Sequence, residues 1–384
     1  MNKRIVFLLI FLSGYLFLSA QESVLIKGKV IDGSTKGNVA FVNIGIEGTL
    51  LGTASNAEGD FSFKVQNEFS QKNLYFSAIG YQNLIIPIQQ FLAENKTISL
   101  QALSYGINDV EISTQSKVLY RIVREAINLI PHEFIHGPFS VQALYQNEVY
   151  TNQILGNKRD AMIEWSDETG YASAINTFKR VNYKFLNVQR NFEVKSLSQG
   201  TTLLDELLSL DLARNLSGVL NPAFLNDYDL DLNGSSTING DSVWIIAYRL
   251  SKPNLSRSGD LYATISQGKL YISKEKKVLL KVEALLQSPL QSPQGRTVAV
   301  EASKALNNVN YRFSTSYKFT PKGYLLDRIS LIKTYKNDKG EPSKNIASLF
   351  VLDLNTTNPE MISKRQYFEN MLSDPDFWVG LAKE

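Results

Sequence analysis

The 384-residue chain has two histidines, and both fall in one pentapeptide, His132-Glu133-Phe134-Ile135-His136. This matches H-E-x-x-H, in which two imidazoles on one helical face hold zinc and the glutamate activates a metal-bound water. That chemistry needs a stable helix and a third ligand. Pro131 stands before the string and Gly137-Pro138 after it, so the helix that would hold the pair is cut short on both sides. A third histidine does not exist, and Glu164, a carboxylate that would have to replace it, lies in 161–165, which reads as strand. We therefore expect a solvated linker here, with no metal and no peptidase.

Other strings resemble sites in part. Asp229-Leu230-Asp231-Leu232-Asn233-Gly234 opens like a calcium loop, but position twelve is Gly240 where a bidentate glutamate belongs. Gly28 to Thr35 imitates a phosphate loop with Ser34 in place of the lysine, and a strand running into a turn explains it. There is no G-x-S-x-G elbow. Absence of cysteine removes disulfides, thiolate metal sites and a cysteine nucleophile. The 37 acidic residues offer many possible pairs, so glycoside hydrolysis stays open as a formal alternative.

Composition places the chain among globular proteins, at 43% hydrophobic and 20% charged. Its net charge is +3, and Lys3 and Arg4 supply two of those charges. They precede an uncharged apolar run, Ile5 to Leu18, which ends in Ser19-Ala20 before Gln21. This is the pattern of a secretory signal peptide over 1–20, too short for a membrane span, and cleavage is expected after Ala20. The remainder is nearly neutral, which gives no electrostatic footprint for nucleic acid.

Between 24 and 102, short alternating apolar runs are separated by Gly, Asn and Asp turns, as in a small β-sandwich. Gly28-Lys29-Val30-Ile31-Asp32, Gly52-Thr53, Asn56-Ala57-Glu58-Gly59-Asp60-Phe61 and Phe76-Ser77-Ala78-Ile79-Gly80-Tyr81 carry a resemblance. The segment resembles the carboxypeptidase-regulatory-like domain, a transthyretin-like sandwich common at the start of exported envelope proteins. The resemblance implies an accessory module and no catalysis.

Residues 103–137 read as a linker and an amphipathic helix, Lys117 to Ile130, with Leu119, Ile122, Val123, Ala126, Ile127 and Ile130 on one face and Pro131 as its stop. From 138 to 356 the chain reads as β again, broken by a helix over Leu203 to Asn215. Thr297 to Ala302 is among the expected strands. Asn239-Gly240 is a strong hairpin signal, and 357–384 is expected to hold a helix from Asn358-Pro359-Glu360 to about Leu372. Gly268-Lys269-Leu270-Tyr271-Ile272-Ser273-Lys274-Glu275 with Leu280-Lys281-Val282-Glu283 resembles the hairpin of half-barrel proteins akin to periplasmic lipoprotein carriers. The whole chain, ending in Asp374-Pro375-Asp376-Phe377-Trp378, resembles exported proteins that fuse the two modules.

Tyr311, Phe313, Thr315, Tyr317 and Phe319 alternate with polar residues, which puts four rings on one face of a strand. Most are expected to be core beneath a helix such as 203–215. A cleft for an acyl chain or a partner's apolar segment, as the carrier resemblance implies, is expected only near one end of the strand. The sequence thus predicts a mainly β protein: a transthyretin-like sandwich, a helical connector and a half-barrel-like domain. The expected role is an exported, non-enzymatic envelope binding or adaptor protein without cofactor, its partner an envelope protein or apolar ligand. A hydrolase through His132/Glu133/His136 or paired carboxylates is the alternative.

Overall fold

The computed structural model describes residues 23–39, 42–47, 52–55, 58–78, 81–82, 84–91, 96–102, 114–171, 181–188, 204–238, 240–290 and 306–363. The leader, the strand expected at 297–302 and the end of the chain lie outside them. Two compact units divide between Ile107 and Asn108.

In the N-terminal unit, β1 (Ser23–Asp32), β4 (Asp60–Gln66) and β7 (Lys96–Leu100) form a sheet in the order β4-β1-β7. The second sheet, in the order β3-β2-β5-β6, contains β2 (Asn43–Ile46), β3 (Gly52–Ala54), β5 (Asn73–Ser77) and β6 (Leu84–Pro87). Alternation along each strand sends Ile26, Val30, Ile44, Leu74, Phe76 and Ile98 into one core. Phe76 meets the edge of Phe61 at 5.7 Å and stacks on Phe91 at 6.0 Å between centroids. Gly59 has φ +80°, and a Cβ there would lie 2.4 Å from the Val30 carbonyl oxygen, so this turn needs glycine.

The C-terminal unit begins with α1 (Thr114–Glu133), whose six expected apolar residues are all buried. Its packing makes it part of this unit's core. Pro131 does not stop it. The proline removes one N–H, but the helix closes beyond it with the Phe134 N–H donating to the Ile130 carbonyl. Docking sets the actual end: the Ile135 N–H donates to the Tyr324 carbonyl, and the Tyr171 N–H donates to the Ile135 carbonyl.

Ten antiparallel strands follow: β8 (Phe139–Thr151), β9 (Ile154–Asp167), β10 (Asn182–Val188), β11 (Tyr228–Ile238), β12 (Asp241–Leu250), β13 (Ile265–Ser273), β14 (Leu279–Leu290), β15 (Asn307–Thr320), β16 (Gly323–Lys336) and β17 (Pro342–Asn355). Their order is β10-β9-β8-β17-β16-β15-β14-β13-β12-β11, so the last strand returns to pair with the first. The calcium-like string lies in β11, as strand. Gly268 is the close approach in this sheet. A Cβ would fall 1.9 Å from the Glu283 carbonyl oxygen and 2.6 Å from the Tyr248 hydroxyl, which donates to that carbonyl.

The helix expected over 203–215 is two short ones, α2 (Leu204–Leu208) and α3 (Leu212–Asn215). They separate because the Thr315 hydroxyl takes the Leu210 carbonyl and Asp211 caps α3 through the Arg214 N–H. The helix expected from Asn358 is absent through Ser363. That stretch lies against β9 and β10 instead, with the Ile362 N–H on the Ser166 hydroxyl, its carbonyl accepting from Asn182, and Glu360 2.8 Å from the Lys184 ammonium. The rest of the expected helix lies outside the described residues. A further short α-helix, α4 (Leu255–Ser258), is capped by Asn254. No helix among the described residues is long and apolar enough to cross a membrane.

Candidate functional site

The histidine pentapeptide straddles the end of α1. His132 and Glu133 are exposed in its last turn, Phe134 and Ile135 turn inward as described, and His136 is exposed beyond them. The imidazoles therefore do not share a helical face. Among the described residues no group of three or more Asp, Glu or His side chains is placed to hold a metal ion.

The sheet face turned toward α2 and α3 holds the expected rings. Tyr311, Phe313 and Tyr317 are buried there, while Phe319, next to last in β15, is 67% exposed and touches Tyr324 edge-on. Two buried polar clusters lie on that face. In the first, the Asp211 carboxylate accepts from the Tyr171 hydroxyl at 2.6 Å, the Tyr317 hydroxyl at 2.9 Å and the Arg214 N–H at 3.2 Å. Burial pushes this carboxyl's pKa up despite those donors, and pushes both tyrosines well up. The Arg214 guanidinium pairs with Asp167, which also accepts from the Thr169 and Gly170 N–H groups. Besides the cap within α3, these bonds tie Asp211 and Arg214 to Tyr317 of β15, to Asp167 of β9 and to the loop at Tyr171, so the cluster is a clamp.

The second cluster lies toward the other end of the strands. Lys333 and Glu206, 0% and 1% exposed, form an ion pair at 3.2 Å between β16 and α2. Lys333 faces Tyr311 across one neighbouring strand and Asn345 across the other, while Asn147 faces Arg159. The Asn345 amide donates to the Asn147 oxygen and to the Glu148 carbonyl, both at 2.9 Å, and the Asn147 amide donates to the Tyr145 hydroxyl. Arg159 lies over the Phe185 ring at 4.3 Å, and its pKa is lowered by burial. Burial raises the Tyr145 pKa to about 12, and burial together with Glu206 raises that of Tyr335. Five adjacent strands, β15 to β9 in sheet order, thus carry a belt of tyrosine, amide and cationic groups inside an apolar shell.

Tyr311 is the one expected site residue that this belt contains. Three others were readable in principle, because each is a polar side chain at an inward position of an alternating strand: Lys333 after Ile329 and Leu331, Asn147 after Ala143 and Tyr145, Asn345 before Ala347 and Leu349.

Residues 26–112 match the CarboxypepD_reg-like domain family. No curated protein sequence matches the chain. Among solved structures, a LolA-superfamily protein of Nitrosomonas europaea is 12% identical over 67% of this chain and 97% of its own, with a TM-score of 0.23. A tesB protein of Mycobacterium avium subspecies paratuberculosis is 9% identical over 62% and 86%, with a TM-score of 0.11. The family match covers the N-terminal domain alone.

Proposed function

We propose that the protein is an exported, non-enzymatic binding or adaptor protein of the cell envelope, periplasmic or outer-membrane associated, whose C-terminal domain works as a half-barrel. The carboxypeptidase-regulatory-like domain is its accessory module, and the inward face of the ten-stranded sheet is its binding surface. The observation that carries this reading is the buried Lys333–Glu206 pair with its belt of amides and tyrosines. Folding alone does not call for such a belt, since apolar groups of similar volume fill a core at equal or lower free energy. A few convergent polar groups within apolar walls are what a ligand site needs. The ligand that suits it is amphipathic, with a polar end at Lys333, Asn345 and Asn147 and an apolar body along the rings beyond.

Native mass spectrometry of protein purified from an envelope fraction tests this. The expected result is a chain beginning at Gln21 with a bound small molecule that Lys333→Met releases. A chain still carrying residues 1–20 would overturn the periplasmic placement, and ligand-free protein that also takes up no fluorescent fatty acid would overturn the binding surface.

A further inference from the structure

The belt lies near one end of the sheet, and the strand register shows what forms that end. Thr151 pairs with Ser343, Tyr335 with Ser343, Lys336 with Asn307, and Asn307 with Leu290. The Asn152 N–H donates to the Pro342 carbonyl, joining the β8–β9 and β16–β17 turns, and the Thr264 N–H donates to the Gln287 carbonyl. Turns are ordinarily polar, and Leu261 and Tyr262 lie in one, while Ile154, Leu155 and Leu290 are terminal residues of β9 and β14. Here Ile154 is 72% exposed, Leu155 44%, Leu261 45%, Tyr262 38% and Leu290 38%. Their strands, β9 to β13, are six inter-strand spacings apart, at most about 30 Å along the rim.

Charge on the same rim has a small positive excess. Lys336 and Lys339 are exposed and Lys344 is half-buried over the Tyr150 ring, against an exposed Asp338. Glu341 accepts from the Asn152 and Asn337 amides, and Glu148 is neutralised by Lys158 at 2.8 Å. Apolar tips dispersed along a line do not line a groove that one helix or strand could fill. Lysines between them match an anionic planar surface into which each tip inserts separately.

We propose that this end of the C-terminal sheet docks on an anionic lipid bilayer, with Ile154-Leu155, Leu261-Tyr262 and Leu290 entering the interface and Lys336 and Lys339 at the headgroups. The inference does not depend on the interior ligand, and vesicle binding is measured separately from ligand uptake. The chain from Gln21 is sedimented with phosphatidylcholine vesicles, pure or with about a third phosphatidylglycerol. Binding to the anionic vesicles is expected, weakened by added salt, and reduced about tenfold by Ile154→Ser with Leu155→Ser or by Lys336→Glu with Lys339→Glu. Because the chain has no cysteine, Ile154→Cys takes a single environment-sensitive dye. Its emission should shift to the blue on vesicle addition, whereas the same dye on Lys322→Cys, at the opposite end of the sheet, should not respond. Failure to bind anionic vesicles, a response equal at both dye positions, or self-association in place of vesicle binding that the serine variant abolishes would overturn the proposal; the last would assign the rim to a second copy of the chain.

Discussion

The interiors of the two units are built differently. In the N-terminal sandwich the core is apolar, and its few buried polar groups bond mainly to backbone N–H and carbonyl groups. Asp32 accepts from the Ser34 and Thr35 N–H groups at 2.7 Å and from the Tyr81 hydroxyl at 2.8 Å, and the Ser55 hydroxyl accepts from the Val42 N–H and donates to the Val39 carbonyl. In the C-terminal unit, by contrast, Lys333, Glu206 and Asp211 lie inside the apolar shell, bonded to partners remote in sequence, and Arg159 lies there over the Phe185 ring. Bonds of the first kind mostly satisfy backbone groups of turns and loops. Remote buried charges of the second kind carry a desolvation cost, retained here at the face we assign to binding.

Ring truncation is among the largest expected effects, and it should not distinguish the units. Phe76→Ala and Phe313→Ala each remove a fully buried ring and should each cost ~3 to 5 kcal/mol in urea unfolding. A small loss at Phe313 alone would mean that the inward face of the sheet is less tightly filled than the sandwich.

The ion pair separates the units directly. Glu206→Leu leaves Lys333 buried without its partner and should cost about 3 to 5 kcal/mol, whereas Glu206→Leu with Lys333→Met should recover most of that loss while ligand retention stays abolished. If the single variant is as stable as the parent, the pair carries no desolvation cost and the contrast between the interiors fails.

A smaller effect, opposite in sign between the units, comes from two aspartates. Hydrogen bonds from the Thr35 N–H, the Tyr81 hydroxyl and the Ser34 N–H lower the pKa of Asp32, so its contribution is present above the unfolded carboxyl pKa and lost as pH falls through the folded value. Burial raises the pKa of Asp211, so its contribution is complete below the unfolded value and declines as pH rises through the folded one. In thermal melts between about pH 3 and pH 7, Asp32→Asn should remove a stabilisation that grows with pH and Asp211→Asn one that shrinks. Slopes of the same sign would contradict the environments described for the two carboxyls.

Near-zero effects complete the series. Phe319→Ala, His132→Ala and His136→Ala alter exposed side chains and should move stability by less than ~0.5 kcal/mol. A stoichiometric zinc lost from either histidine variant, read by elemental analysis, would restore the metal reading.

Much of the fold was legible because alternation and turn residues act locally. The apolar face of α1, the hairpin at Gly240 and the burial of Tyr311, Phe313 and Tyr317 follow from period and turn chemistry that neighbouring residues set for themselves. Pro131 shows the limit. A local rule marks it as a stop, yet the helix ends two residues later, where Ile135 meets Tyr324 and Tyr171. The same holds for 203–215, divided where Thr315, a hundred residues on, takes the Leu210 carbonyl, and for 358–363, held against β9 and β10 by Ser166, Asn182 and Lys184. The candidate site lies at that boundary. Sequence alone could mark Lys333, Asn147 and Asn345 as polar groups at inward positions. Their convergence required the return of β17 to β8 and the placing of Glu206 over Lys333, because pairing between segments nearly two hundred residues apart is fixed by the closing of the sheet and not by any preference of the residues in it.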